Sequence, residues 1–163
     1  MTASICFREG LDSERGRAAG LAHDMCKEMP RKVQRELAAA YPGAVEGSAL
    51  MAEKVVHGPA AAALLARDYG VKDDELLEAI ALHTVGKPGM KALSAILYCA
   101  DKLEPGRERL ESEYRRRCLE LPLEGMLLAV VEGVIAWLRS QGRAVAPETL
   151  ILYSTLDPGA DQE

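Results

Sequence analysis

Residues Ala18–Glu28 read Ala-Ala-Gly-Leu-Ala-His-Asp-Met-Cys-Lys-Glu, a run of helix-forming side chains that carries one imidazole–carboxylate pair, His23-Asp24. Just upstream, Asp12-Ser13-Glu14 has the form of a capped helix start, and a helix is expected from there through Cys26. Neighbouring helical positions point about 100° apart, so His23 and Asp24 can share an ion only if it lies between their two directions. Lys27 follows three residues after Asp24, on the same helical face.

Outward from this segment the chain keeps to helical signals. Pro30 suits the first turn of a second helix that ends at Pro42-Gly43, and a third begins near Ser48. His57-Gly58-Pro59 interrupts it, and a further helix runs from Pro59 to a terminal Gly70. Asp73 caps a helix through His83, with Leu76, Leu77, Ile80 and Ala81 at helical spacing. Gly86-Lys87-Pro88-Gly89 is a loop by composition. Met90–Leu103 is apolar at Leu93, Ile96, Leu97 and Ala100 and stops at Glu104-Pro105-Gly106. Arg115-Arg116-Arg117, flanked by Glu111, Glu113 and Glu120, reads as a solvated helix face. The long apolar stretch Leu123–Ser140 is expected at the centre of the core, and a short helix follows Pro147. Six or seven helices and no strand make an all-α bundle. One domain is expected over residues 1–156, with a polar tail at 157–163.

Composition narrows the function classes. In 163 residues, 48% are hydrophobic and 28% charged, the balance of a globular chain with its own core. A net charge of −5 offers no broad attraction to a phosphate backbone or an anionic membrane, so neither nucleic acid nor membrane is expected as a partner. The four cysteines, Cys6, Cys26, Cys99 and Cys118, form no C-x-x-C pair, which argues against zinc-ribbon chemistry and for a reducing, cytoplasmic setting. No apolar run approaches the ~20 residues of a membrane helix, and Met1–Arg8 lacks a signal-peptide layout. A symmetric dimer is the base-rate expectation.

The three histidines all fall at or near helix ends or breaks: His23 beside Asp24, His57 before Gly-Pro, and His83 before the glycine loop. Asp101 lies near the end of the next helix. An imidazole and carboxylates from separate helices form a mixed nitrogen and oxygen shell suited to iron, manganese or a similar divalent ion. Such an ion acidifies water and neutralises phosphate charge, and Lys27 offers a point charge for a phosphate oxygen. Each residue also has a plainer use. Lys27 can pair with Asp24 or Glu28, His57 can serve a turn, and His83 can cap its helix.

The segment Ala18–Glu28 resembles the signature helix of HD-domain phosphohydrolases. More narrowly, the chain is similar to the bacterial YqeK family of symmetrical dinucleoside tetraphosphate hydrolases. The blocks His57-Gly58-Pro59, Leu82–Met90 and Ile96–Arg107 match in order and spacing, and the resemblance covers roughly residues 4–156. It implies an iron-type centre held by His23, Asp24 and Asp101, with manganese as the other option. It also implies that Lys27, His57, His83 and Arg107 face nucleotide phosphates, or that His57 and His83 hold a second ion. The implied reaction splits diadenosine tetraphosphate into two ADP, with a metal-activated water as nucleophile and Asp24 to orient or deprotonate it. The implied partner is thus a dinucleoside polyphosphate or ADP-like nucleotide.

The family has a further histidine ligand in an Arg-x-x-His context well before the HD pair, whereas no histidine here precedes His23. Thr2–Gly10 resembles the second half of the family's first helix, so the chain reads either as lacking the first half of that helix or as having lost a ligand. Exposed apolar surface near Ile5, Phe7 and the His23 helix is the expected consequence. Two other readings remain beside the leading one: a non-catalytic nucleotide-binding or regulatory HD module, and another nucleotide phosphohydrolase.

Overall fold

In the computed structural model, which describes residues 1–42, 55–106 and 111–157, several helices start at an aspartate cap or a proline. Helix α1 spans Thr2–Arg8 and α2 spans Ser13–Ala22, where the Asp12 carboxylate accepts the Glu14 amide at 2.8 Å. Helix α3 (Arg31–Ala39) follows Pro30, and α4 (His57–Asp68) carries Pro59 in its first turn, where a missing N–H costs nothing. Asp73 caps α5 (Asp74–Leu82) by accepting the Leu76 amide. Then come α6 (Ala92–Lys102), α7 (Ser112–Glu120), α8 (Leu123–Ser140) and α9 (Pro147–Leu156), the last opened by a first-turn proline. The described residues thus form nine helices and no strand, more helices than the sequence suggested. The expected helix start near Ser48 and residues 158–163 of the tail lie outside the described residues.

Helix α6 is the axis of the bundle. Its residues Leu93 to Ala100 are all buried, and it packs against α1, α2, α5 and α8. A helix apolar on every side belongs inside. The expectation that α8 would be central is therefore corrected. Helix α8 buries one stripe, Met126, Leu127, Val130, Val131 and Ile135, against α6 and keeps its other face toward α7, α9 and solvent. The row Ala60–Ala63 is wholly buried in α4, and such small side chains let α3 and α5 close on either side. All four cysteines are buried and unpaired. Of the apolar residues expected to be exposed at the chain's start, Phe7 is, together with Leu21 on α2, whereas Ile5 is buried because α1 turns it into the core.

The segment that opened the sequence reading departs from regular α-helix. Helix α2 ends at Ala22 rather than Cys26, with His23 at its cap. Beyond it, Met25, Lys27 and Met29 donate to the carbonyls of Ala22, Asp24 and Cys26, each three residues back. This tighter winding nearly eclipses positions three apart and so stacks Lys27 over Asp24. It also leaves carbonyls without helical partners, and the buried amide of Gln34 on α3 donates to two of them, Lys27 at 3.0 Å and Met29 at 2.8 Å. Arginine 15 braces the other side, its guanidinium forked onto Asp73 at 2.7 and 2.8 Å so that α2 is tied to the start of α5.

Replacing Gln34 by Ala strands those carbonyls in the interior. The expected outcome is a loss of about 1–3 kcal/mol, read as a lower urea midpoint with an unchanged slope.

Candidate active site

Four helix termini bring the chemistry together: His23 caps α2, His57 opens α4, His83 caps α5, and Asp101 sits one residue before the end of α6. Local hydrogen bonds orient the rings. The Nδ1–H of His23 donates to the Gly20 carbonyl at 2.8 Å, and that of His83 to the Ile80 carbonyl at 2.7 Å. A carbonyl only accepts, so each Nδ1 carries the proton and each Nε2 is left with a lone pair.

Both lone pairs face the same carboxylate. Asp24 Oδ2 lies 3.6 Å from His23 Nε2, and Oδ1 lies 3.6 Å from His83 Nε2 and 3.1 Å from His57 Nε2. Nε2 of His57 is also 3.0 Å from that of His83. Asp101 Oδ1 stands 3.8 Å from His23 Nε2. Ligand atoms of His23, Asp24 and His83 lie within 4.8 Å of one another. Two imidazole lone pairs turned onto a carboxylate repel unless a proton or a cation lies among them. The donor set, two nitrogens with carboxylate oxygens, fits a divalent ion of the iron or manganese type.

The structure therefore brings His23, Asp24, His57, His83 and Asp101 into one cluster. Lys27 joins it, its Nζ 2.6 Å from Asp24 Oδ2. Arg107 lies outside the described residues. In the glycine loop, Gly86 and Gly89 hold φ of +66°, and Lys87 turns away from the cluster to pair with Glu78.

Four residues contribute in ways that local sequence did not announce. Lys102, with only 12% of its side chain exposed, donates to Asp101 Oδ2 at 3.0 Å and to the His83 carbonyl, linking the ends of α5 and α6. A lysine ending an otherwise apolar helix beside Asp101 was the available signal. Gly58 is required by space: a Cβ there would stand 2.8 Å from the Ala81 carbonyl oxygen and 3.2 Å from His83 Nδ1. Trp137 and Arg143 line the same cleft, of about 1360 Å³, as Asp24, Lys27, His57, His83 and Asp101.

Electrostatics follow from this crowding. Burial alone would raise the Asp24 carboxyl. The neighbouring His83 and Lys27, with His23, outweigh burial and hold it far below the usual carboxylate range. Burial, reinforced by the neighbouring His83, lowers His57 to about 4 despite the opposing pull of Asp24. Burial also lowers His83, against the opposing pull of Asp24.

This fold and cluster define the class: the HD domain family matches residues 1–128, and the chain belongs to it. Among its relatives, the symmetrical bis(5'-nucleosyl)-tetraphosphatase of Bacillus subtilis (strain 168) is 30% identical over 156 residues, spanning 96% of this chain and 83% of that protein. The enzyme of the same name from Halalkalibacterium halodurans is 26% identical, over 90% of this chain and 78% of its own. A crystal structure of a predicted HD superfamily hydrolase involved in NAD metabolism, from Clostridium acetobutylicum, superposes with a TM-score of 0.85 at 26% identity, covering 99% of this chain and 84% of that one.

Two outcomes are expected. Gly58→Ala pushes His83 off its position and costs about 1–3 kcal/mol, measured by thermal unfolding together with a fall in metal affinity. For the metal-free chain, the lowered histidines fix the sign of the pH dependence. Between the ordinary histidine value near 6.5 and about 4, the unfolded chain binds protons that folded His57 refuses. Stability is thus full above about pH 6.5 and declines as pH falls toward 4. His57→Gln should flatten that slope in melting curves taken across the window.

Proposed function

We propose that this chain is a metal-dependent hydrolase that cleaves diadenosine tetraphosphate at its central anhydride to give two ADP. The observation that carries this reading is the convergence of three histidines and two aspartates, of which Asp24, His57, His83 and Asp101 line a cleft of about 1360 Å³. The names of its curated relatives support the same substrate, and favour catalysis over a non-catalytic binding module.

His23, Asp24 and Asp101 would hold the ion, with His83 close enough to add a nitrogen. When bound, a divalent ion, iron or alternatively manganese, neutralises phosphate charge and acidifies water. The protein's own groups do the rest. Asp24 is held anionic, which makes it a weak base, so its role is to accept a hydrogen bond and orient the attacking water toward phosphorus. Lys27 exchanges Asp24 for a phosphate oxygen, and Arg107, on the family resemblance, supplies a second cation. His57, beside Asp24 but with most of its ring turned inward, borders the phosphates. The water oxygen joins one central phosphorus as the bond from that phosphorus to the bridging oxygen breaks, and the bridging oxygen leaves on the other ADP. Lys102 is a positioning residue, holding one oxygen of Asp101 so that the other faces His23.

This reading sets the chain in the cytoplasm, where its four unpaired thiols persist. Among the described residues, no helix is long and apolar enough to cross a membrane.

With ferrous or manganese ion, diadenosine tetraphosphate should yield ADP as the sole nucleotide product by ion-exchange chromatography. ATP with AMP, or no cleavage by metal-loaded protein, overturns the reading. Asp24→Asn should lose on the order of 10²-fold or more in kcat. Lys27→Ala should weaken ADP binding about tenfold, the worth of one charge-assisted hydrogen bond.

A further inference from the structure

The arm of the cleft that runs along α8 presents apolar and aromatic side chains rather than the imidazoles and carboxylates of the cluster. Val134, Trp137, Leu138 and Val145 form its apolar wall, while Glu111, Tyr114 and Arg117 line the cleft as well. Trp137 is the chain's single tryptophan and is only half-buried. The Arg143 guanidinium lies 5.4 Å from the centre of its ring. Helix α8 spans the distance. Val130 lines the cleft where α8 packs on α6, and Trp137 lies seven residues further, about 10.5 Å along the axis. A volume of about 1360 Å³ also exceeds the ~300–1,000 Å³ of most small-molecule sites. A polyphosphate chain gains nothing from aliphatic walls. A planar aromatic group does, because it stacks on an indole and on a guanidinium.

We propose that this arm is a nucleobase subsite in which Trp137 supplies the stacking face and Arg143 flanks it, so that one adenosine of the substrate is held there while its phosphates reach the histidine–aspartate cluster. The proposal rests on the reading of the substrate as a dinucleoside polyphosphate and adds the residues that distinguish a nucleoside from a bare phosphate chain. Trp137 makes no direct contribution to bond cleavage in this scheme. Its contribution lies in binding.

The test uses the full chain loaded with manganese, with ADP and inorganic pyrophosphate as probes. ADP should quench tryptophan fluorescence, which arises from Trp137 alone, and pyrophosphate should not. Trp137→Ala should weaken ADP binding about tenfold or more and leave pyrophosphate binding unchanged, while Trp137→Phe keeps most of the affinity. Arg143 is exposed, so Arg143→Ala should fold normally, and it should weaken ADP several-fold with no change for pyrophosphate. Equal effects on both probes, or none on either in folded variants, overturn the subsite. A parent protein that splits diadenosine tetraphosphate while ADP leaves the fluorescence untouched removes the subsite and spares the proposed reaction. A parent that shows selective ADP quenching but no hydrolysis removes the reaction and keeps the subsite.

Discussion

Two hydrogen bonds, from His23 Nδ1 to the Gly20 carbonyl and from His83 Nδ1 to the Ile80 carbonyl, serve the fold and the site together. The last turn of any helix leaves carbonyls without amide partners, and here imidazoles satisfy them. The same bond fixes each ring's tautomer and rotation and turns Nε2 away from its own helix. Because α2 and α5 end near each other, the two freed nitrogens meet. Lengthening either helix by a turn would give the carbonyl an amide partner and turn the imidazole elsewhere.

What those bonds assemble is costly by itself. Carboxylates and lone pairs are gathered where water is scarce, and desolvated charge is tolerated only when paired. Lys27 meets one oxygen of Asp24 and Lys102 one oxygen of Asp101, so each carboxylate is partly neutralised while another oxygen stays turned inward. The close pass of α4 over α5 at Gly58 completes the enclosure, bringing His57 against His83. A stable framework around such a centre suits it to hold a divalent cation.

The sequence disclosed these parts unevenly, for physical reasons. The convergence of His23, His57, His83 and Asp101 was legible because helix ends are written in prolines, glycines and caps, and side chains at such ends meet in a bundle. The order of burial among the helices was not legible. Periodicity reports that α8 and α6 are both apolar, but only packing decides that α6 is enclosed on all sides. The tight turn after Ala22 was hidden as well, since its support comes from Gln34 across a tertiary contact. Trp137 and Arg143 are neighbours of the cluster only through the shared cleft, a relation with no local signature.

The eclipsed stacking of Lys27 over Asp24 bears on how the site responds to its medium. With no anion nearby, the ammonium is already neutralised at 2.6 Å by its own carboxylate. On the proposed reading, an arriving phosphate would trade places with Asp24 instead of meeting a bare cation ringed by loosely held counterions. Counterion release, which makes most polyanion binding steeply sensitive to ionic strength, has little to contribute at this position. On that reading, an intramolecular anion standing in for the guest would leave the affinity gained through Lys27 comparatively indifferent to salt.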